Sequence, residues 1–124
     1  MAIRLKIRDK LERPFASQDK VDECTRIVKK DGYERRFEPS GNDWPPDSEA
    51  TKEAKGHGIV GRDTDRMYNS LADFTEESVV ESTDTTLTVG TRTPYAHDFN
   101  IIRNILPFNN MSEVARKVVN VVIS

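Results

Sequence analysis

The stretch from Glu38 to Gly61 constrains the fold of this chain more than any other, because no apolar periodicity runs through it. Pro39, Gly41, Pro45, Pro46, Gly56, Gly58 and Gly61 punctuate it, and residues of these types break both helices and strands. An unpatterned loop of this length is uncommon in a compact domain. It marks a functional segment or one ordered by a partner. Trp44, the one tryptophan, stands inside it before two prolines. Such an aromatic pins its loop to the chain's own core or anchors an interface.

The length of 124 residues predicts one domain at about residues 1–124, with a modest core. Hydrophobic residues make up 35% and charged residues 32%, a polar balance for a compact globule. That balance favours extended arms, or a subunit that completes its core against neighbours. The net charge of -2 gives no general attraction to nucleic acid or anionic membrane. Its distribution is uneven: residues 1–37 carry 11 Lys or Arg against 7 Asp or Glu, and the remainder carries 8 against 14. A basic end and an acidic remainder suit head-to-tail contact between copies, although solvated faces are the commoner cause. The single cysteine, Cys24, excludes an intrachain disulfide and reads as a structural thiol on a helix. Neither a signal peptide nor an apolar run near membrane length is visible, so secretion by the usual route and a membrane span are not expected.

Ile3-Arg-Leu-Lys-Ile7 alternates apolar and basic and predicts a half-buried strand. Pro14 to Val28 reads as a helix with Phe15, Val21, Cys24, Ile27 and Val28 near one face. Lys29 and Lys30 suit its C-terminal dipole, and Gly32 reads as its stop. A short helix is expected from Thr64 to Leu71, with Asp63 or Thr64 as N-cap. Strands follow at Phe74–Glu81 and Thr86–Thr91; Leu87 and Val89 share a face that Val80 can join. A helical turn at Tyr95–Asn100 comes next. A last helix runs from Ser112 to Ile123, with Val114, Val118, Val121 and Val122 as its apolar face. The expected class is α+β: a small antiparallel sheet packed with N-terminal and C-terminal helices, and a long central loop at about 38–61.

Gly56-His57-Gly58-Ile59-Val60-Gly61 spells G-x-G-x-x-G. A dinucleotide turn needs a buried strand before it, and the polar Ser48–Lys55 run cannot supply one. The glycines read instead as a loop entering a helix. His57, His97 and Asp98 offer three potential metal ligands without the spacing of a known motif. Ser70, Asp73 and His97 can be named as a triad, but no nucleophile-elbow pattern holds the serine. The acids Asp73, Glu76, Glu77, Glu81 and Asp84 could include a catalytic pair, yet Glu77 and Glu81 fall on one solvated face. Arg35 and Arg36, flanked by Tyr33 and Phe37, form a basic and aromatic set too small to define a nucleic-acid module.

One ordering of short motifs goes further. Trp44-Pro45-Pro46 is followed by Thr51-x-x-x-Lys55 and then Ile59-Val60-x-Gly-Arg-Asp-Thr-Asp-Arg-Met-Tyr-Asn-Ser70. A hairpin ending in Leu87-Thr-Val-Gly-Thr91, then Pro94-Tyr95-Ala96-His97-Asp98-Phe99 and Leu106-Pro107-Phe108, completes the series. Over about residues 37–123 the chain resembles the virion morphogenesis family, the tail-completion proteins of tailed bacteriophages, and the wider set of small head–tail joining and neck proteins. Where that family has T-G-R-L, this chain has Gly61-Arg-Asp-Thr-Asp-Arg-Met67, and Phe99-Asn100 replaces a Phe-Gly pair.

The resemblance implies a structural virion protein, not an enzyme, that takes no cofactor and no metal. It implies a homo-oligomeric ring matched to a sixfold tail, meeting the tail tube and head-closure proteins, with DNA passing through its lumen and no membrane partner. Its place would be the head–tail junction of the virion, and the host cytoplasm during assembly. Trp44, Pro45, Arg62, Arg66, Tyr95, His97 and Phe99 are the expected subunit or partner contacts. Tyr95 and Phe99, four apart, are expected to pack as a pair. Two other classes stay open: a small metal-dependent hydrolase or nuclease using His57, His97 and acids, and a nucleic-acid-binding accessory factor using Arg35, Arg36 and the N-terminal bases.

Overall fold

In the computed structural model, the described residues are 3–8, 14–15, 17–42, 44, 49–50, 53, 65–103, 105–106 and 108–123. They build an α+β fold. Strand β1 (Ile3–Arg8) leads to helix α1 (Gln18–Ile27), a π-helical segment (Val28–Glu34) and a 3₁₀ turn (Pro39–Gly41). Helix α2 (Arg66–Ala72), strands β2 (Ser78–Ser82) and β3 (Thr86–Thr91), helix α3 (Ala96–Ile102) and helix α4 (Met111–Ile123) complete the order. Most of the long central loop, including its three closing glycines, lies outside the described residues.

The sheet has the order β1-β3-β2, and both outer strands run antiparallel to β3. Leu5 lies opposite Val89, which in turn lies opposite Val80. The central strand is covered on both faces: Leu87 to Thr91 are all buried. Val80 does share a face with Leu87 and Val89, as the pattern predicts, yet it is 38% exposed. Val79, opposite Gly90 on the other face, is the fully buried valine. The edge position of β2 accounts for Val80, since no further strand covers its outer side among the described residues.

Helices α1 and α4 lie side by side and antiparallel. Lys20 Nζ near the start of α1 donates to Val122 O at 2.8 Å, and Cys24 Sγ lies 4.0 Å from Val118 O. Farther along, Lys117 Nζ reaches Asp31 Oδ2 at 3.0 Å and Asn110 Nδ2 donates to Asp31 O at 2.7 Å. The seam is made by Val21, Cys24 and Val28 on one side and Val114, Val118 and Val122 on the other, all buried. On the sheet side, Tyr33 is fully buried and its hydroxyl donates to Val89 O at 2.7 Å. The N- and C-terminal helical layers expected from the sequence are therefore both present.

Two helix boundaries differ from expectation. Pro14 does not open α1. Phe15 N donates to Asp84 O at 3.0 Å, which holds residues 14–15 beside the β2–β3 turn, and the helix starts after Ser17. Gly32 does not stop it either, because the coil widens into the π-helical segment and runs on through Glu34. A Cβ on Gly32 would meet the Phe108 ring, with Cζ at 2.8 Å and Cδ2 at 2.9 Å and Cε2 closer still. Glycine is needed there for close approach, not for termination. Strand β2 also starts later than Phe74. Ser78 N donates to Thr75 O at 3.1 Å and Ser78 Oγ accepts from Thr75 N at 2.9 Å, a turn that leaves Phe74 63% exposed.

Candidate functional site

Two of the expected contact residues, Trp44 and Phe99, meet in one aromatic hub. Phe37, just past the π-helical segment, is 2% exposed and forms its centre. Trp44 stands edge-on to Phe37 with ring centroids 5.3 Å apart, and edge-on to Phe99 at 5.4 Å. Phe99 stacks on Phe37 at 6.2 Å, and Tyr68 from α2 meets Phe37 edge-on at 5.5 Å. Three regions distant in sequence, residues 37–44, Tyr68 and Phe99, thus meet through rings, each pair adding about 0.5–1.5 kcal/mol beyond burial. Trp44 is half-buried and packed on the chain's own core, in keeping with an intrachain anchor for the loop it belongs to.

Arginines close the hub from two sides. The Arg36 guanidinium lies 5.4 Å over the Trp44 ring, and that of Arg103 lies 5.9 Å over Phe99. Arg36 is only 5% exposed. Its Nε donates to Ile105 O at 3.0 Å, and its Nη1 to Gly41 O at 3.0 Å and Asn109 Oδ1 at 2.6 Å. A guanidinium with so many internal acceptors ties the 3₁₀ turn to residues 105–109, and its donors are committed inside the chain. Arg35 is the exposed member of that pair and meets Glu113 at 3.4 Å.

Among the remaining expected contact residues, Arg66 forms a bidentate pair with Glu77, with both bonds at 2.6 Å. That hydrogen bonding raises the Arg66 pKa and lowers that of Glu77. Tyr95 is 42% exposed, and its hydroxyl accepts from Met67 N at 3.2 Å at the entrance of α2. Tyr95 thus serves as a backbone acceptor for α2, while Phe99 joins the hub; the described ring contacts do not pair the two. His97 is half-buried on α3. Pro45, Arg62 and His57 lie outside the described residues.

The chemistry considered from the sequence finds these positions. Ser70 is fully buried; its hydroxyl donates to Met67 O at 2.6 Å and shares hydrogen bonds with Thr91 and Thr93. Asp73 uses its carboxylate to accept from Phe74 N at 2.9 Å. The serine and aspartate of the nominal triad are thus engaged in local structure. No group of three or more His, Cys, Asp or Glu among the described residues could hold a metal ion. No helix among them is long and apolar enough to cross a membrane.

Lys29 is the residue that sequence reasoning misplaced. It was expected to serve the end of its own helix, yet it caps another one. It is fully buried, and its ammonium donates to Ser70 O at 2.9 Å, Leu71 O at 3.3 Å and Asp73 O at 2.7 Å, at the C-terminus of α2. A cation there satisfies carbonyls that the helix leaves open. The Phe74 ring covers it at 4.8 Å. Burial pushes the Lys29 pKa down to about 8. The negative charge of Asp73 acts in the opposite sense. The available signal is spacing: Lys29 follows Val21 and Thr25 along the buried stripe of α1.

No protein-family model, curated protein or solved structure matches this chain.

Proposed function

We propose that this chain is a tail-completion or neck subunit of a tailed bacteriophage, forming a ring that joins tail to head. What carries the reading is the ordered series of motifs from Trp44 to Phe108, together with the way its pieces meet. Trp44 and Phe99, from the Trp-Pro-Pro and Pro-Tyr-Ala-His-Asp-Phe stretches, stand edge-on in one hub 5.4 Å apart. Tyr68, from the middle helix of the series, reaches the same hub through Phe37. Motifs spread over the sequence then have a common physical reason: they hold Trp44 against the sheet-and-helix body. The role is assembly, with DNA passing through the ring, and no chemical step is assigned to any residue.

A clean deletion tests this. Filled heads and full-length tails that fail to join, or tails of abnormal length, are the expected products, and electron microscopy of complete particles should find the subunit as a ring at the neck. Normal infectious particles from the deletion would overturn the reading. Replacing His57 and His97 together with alanine should leave assembly intact. A folded double variant that assembled no particles would favour the hydrolase or nuclease reading instead.

A further inference from the structure

The main-chain bonding pattern of the sheet gives its two outer strands edges of opposite character. Arg92 N donates to Glu77 O at 2.7 Å, and Thr83 N to Thr86 O at 2.8 Å. In an antiparallel ladder, bonded pairs alternate with unbonded ones. With the observed register, the bonded pairs between those two are Val79 with Gly90 and Glu81 with Thr88. The N–H and C=O groups of Ser78, Val80 and Ser82 therefore point away from the sheet. Ser78 finds partners at home, its N–H on Thr75 O and its C=O facing Arg92 Nη1 at 3.4 Å. Among the described residues, nothing takes up the outward groups of Val80 and Ser82, and both residues are exposed.

The same alternation fixes the far edge. Thr88 and Gly90 bond toward β2, so Leu87, Val89 and Thr91 bond toward Ile7, Leu5 and Ile3. The outward main-chain groups of β1 thus belong to Arg4, Lys6 and Arg8. Charge separates the two edges. The segment from Asp73 to Thr91 carries Asp73, Glu76, Glu77, Glu81 and Asp84 and no Lys or Arg. The first fourteen residues carry Arg4, Lys6, Arg8, Lys10 and Arg13 against Asp9 and Glu12.

We propose that the β2 edge, at Val80 and Ser82, receives the basic β1 edge of a second copy of this chain, so that the sheets of neighbouring subunits join edge to edge. Strand addition of this kind draws on main-chain hydrogen bonds for affinity. Pairing β2 with another β2 would bring acids against acids, which opposes association. Pairing it with β1 brings opposite charges together and fixes the register. Both strands run antiparallel to β3 and hence parallel to each other, so the junction in a continuing sheet is a parallel one. A head-to-tail contact of this type closes into a ring when its rotation allows. The inference deepens the ring reading above and rests on it.

Two sets of variants test the junction, read by native mass spectrometry and light scattering on the full chain. Val80→Pro removes an outward N–H and spares the bonds to β3, a placement proline tolerates at a sheet edge. It should fold, by circular dichroism, and associate at least about tenfold more weakly than wild type. Glu81→Lys and Lys6→Glu should each weaken association similarly, because each sets a charge of like sign against the facing edge of the neighbour. Mixing those two variants should restore oligomers, since each then offers the edge the other lacks. Wild-type rings that persist in Val80→Pro, or a mixture that stays dissociated, would overturn the edge junction while leaving the ring reading intact. A wild-type chain that never associates, alone or in particles, would overturn both.

Discussion

Replacing Gly32 with alanine sets two opposing effects against each other in a helical segment. Alanine is the better helix former by about 1 kcal/mol, through the reduced backbone entropy of the unfolded chain. Against that stands the Phe108 ring, whose Cζ and Cδ2 lie at 2.8 and 2.9 Å from where the new methyl would sit. Real methyl groups do not approach carbon so closely, so the ring or the segment must shift. The ring has little room, being 3% exposed and held edge-on to Tyr33 at a centroid distance of 5.0 Å. Overpacking of this kind costs about 1–3 kcal/mol. The net expectation is a loss of up to about 2 kcal/mol, and with a urea slope of about 2 kcal/mol per molar the midpoint should fall by up to about 1 M. The double variant with Phe108→Leu locates the cause. In that background the alanine should cost little or should stabilise, a coupling expected of residues in direct contact. Gly32→Ala at least as stable as wild type, or equally costly in both backgrounds, would refute the close-approach account and return Gly32 to the role of a helix stop.

Three further outcomes are expected. Lys29→Met should cost about 1–3 kcal/mol in chemical denaturation, the usual penalty for an unmet buried carbonyl. The folded Lys29 releases its proton near pH 8 and the unfolded one near 10.5, so the unfolded state binds more protons between them. Wild-type stability should gain a rising contribution with pH across that window, and the contribution should be absent from Lys29→Met. Trp44→Ala should cost about 2–4 kcal/mol in a thermal or chemical melt, somewhat below a fully buried tryptophan because the ring is only half-buried; a variant that melts like wild type would remove Trp44 from the core. Cys24, with its pKa pushed up to about 11 by burial, should resist a thiol reagent at pH 8 until the protein is unfolded, and rapid reaction of the native protein would contradict its position in the α1–α4 seam.

Short-range patterning made much of this fold legible. Alternation in Ile3–Ile7, the valine stripe of the last helix and the turn residues around Asp84 each carry local information, and β1, α4 and the β2–β3 hairpin follow from them. Local signals misled where a distant residue set the outcome. Gly32 resembles a helix stop in isolation, and only Phe108, far along the chain, gives it a different purpose. Phe74 fits a strand by type but falls in the turn fixed by Ser78 and Thr75. Lys29 looks like a solvated helix end, while its acceptors belong to α2. At the site, Trp44 stood out by its rarity, and Phe99 by its motif. Phe37 gave no such signal, although it is the ring that both of them touch. Its role depends on the return of Tyr68 and Phe99 to the stretch that holds Phe37 and Trp44, which no window of sequence contains.

The antiparallel seam of α1 and α4 also sets an order of events at the ribosome. The ammonium of Lys20 finds its carbonyl 102 residues later in the chain, and Cys24 meets its neighbour 94 residues later. Contacts of such separation close slowly, because the intervening chain must be gathered first. While the polypeptide is being made, the apolar stripe of α1 emerges long before the valines that will cover it. The nascent chain therefore passes through an interval with an uncovered helix, and over that interval its apolar stripe is open to the wrong neighbour.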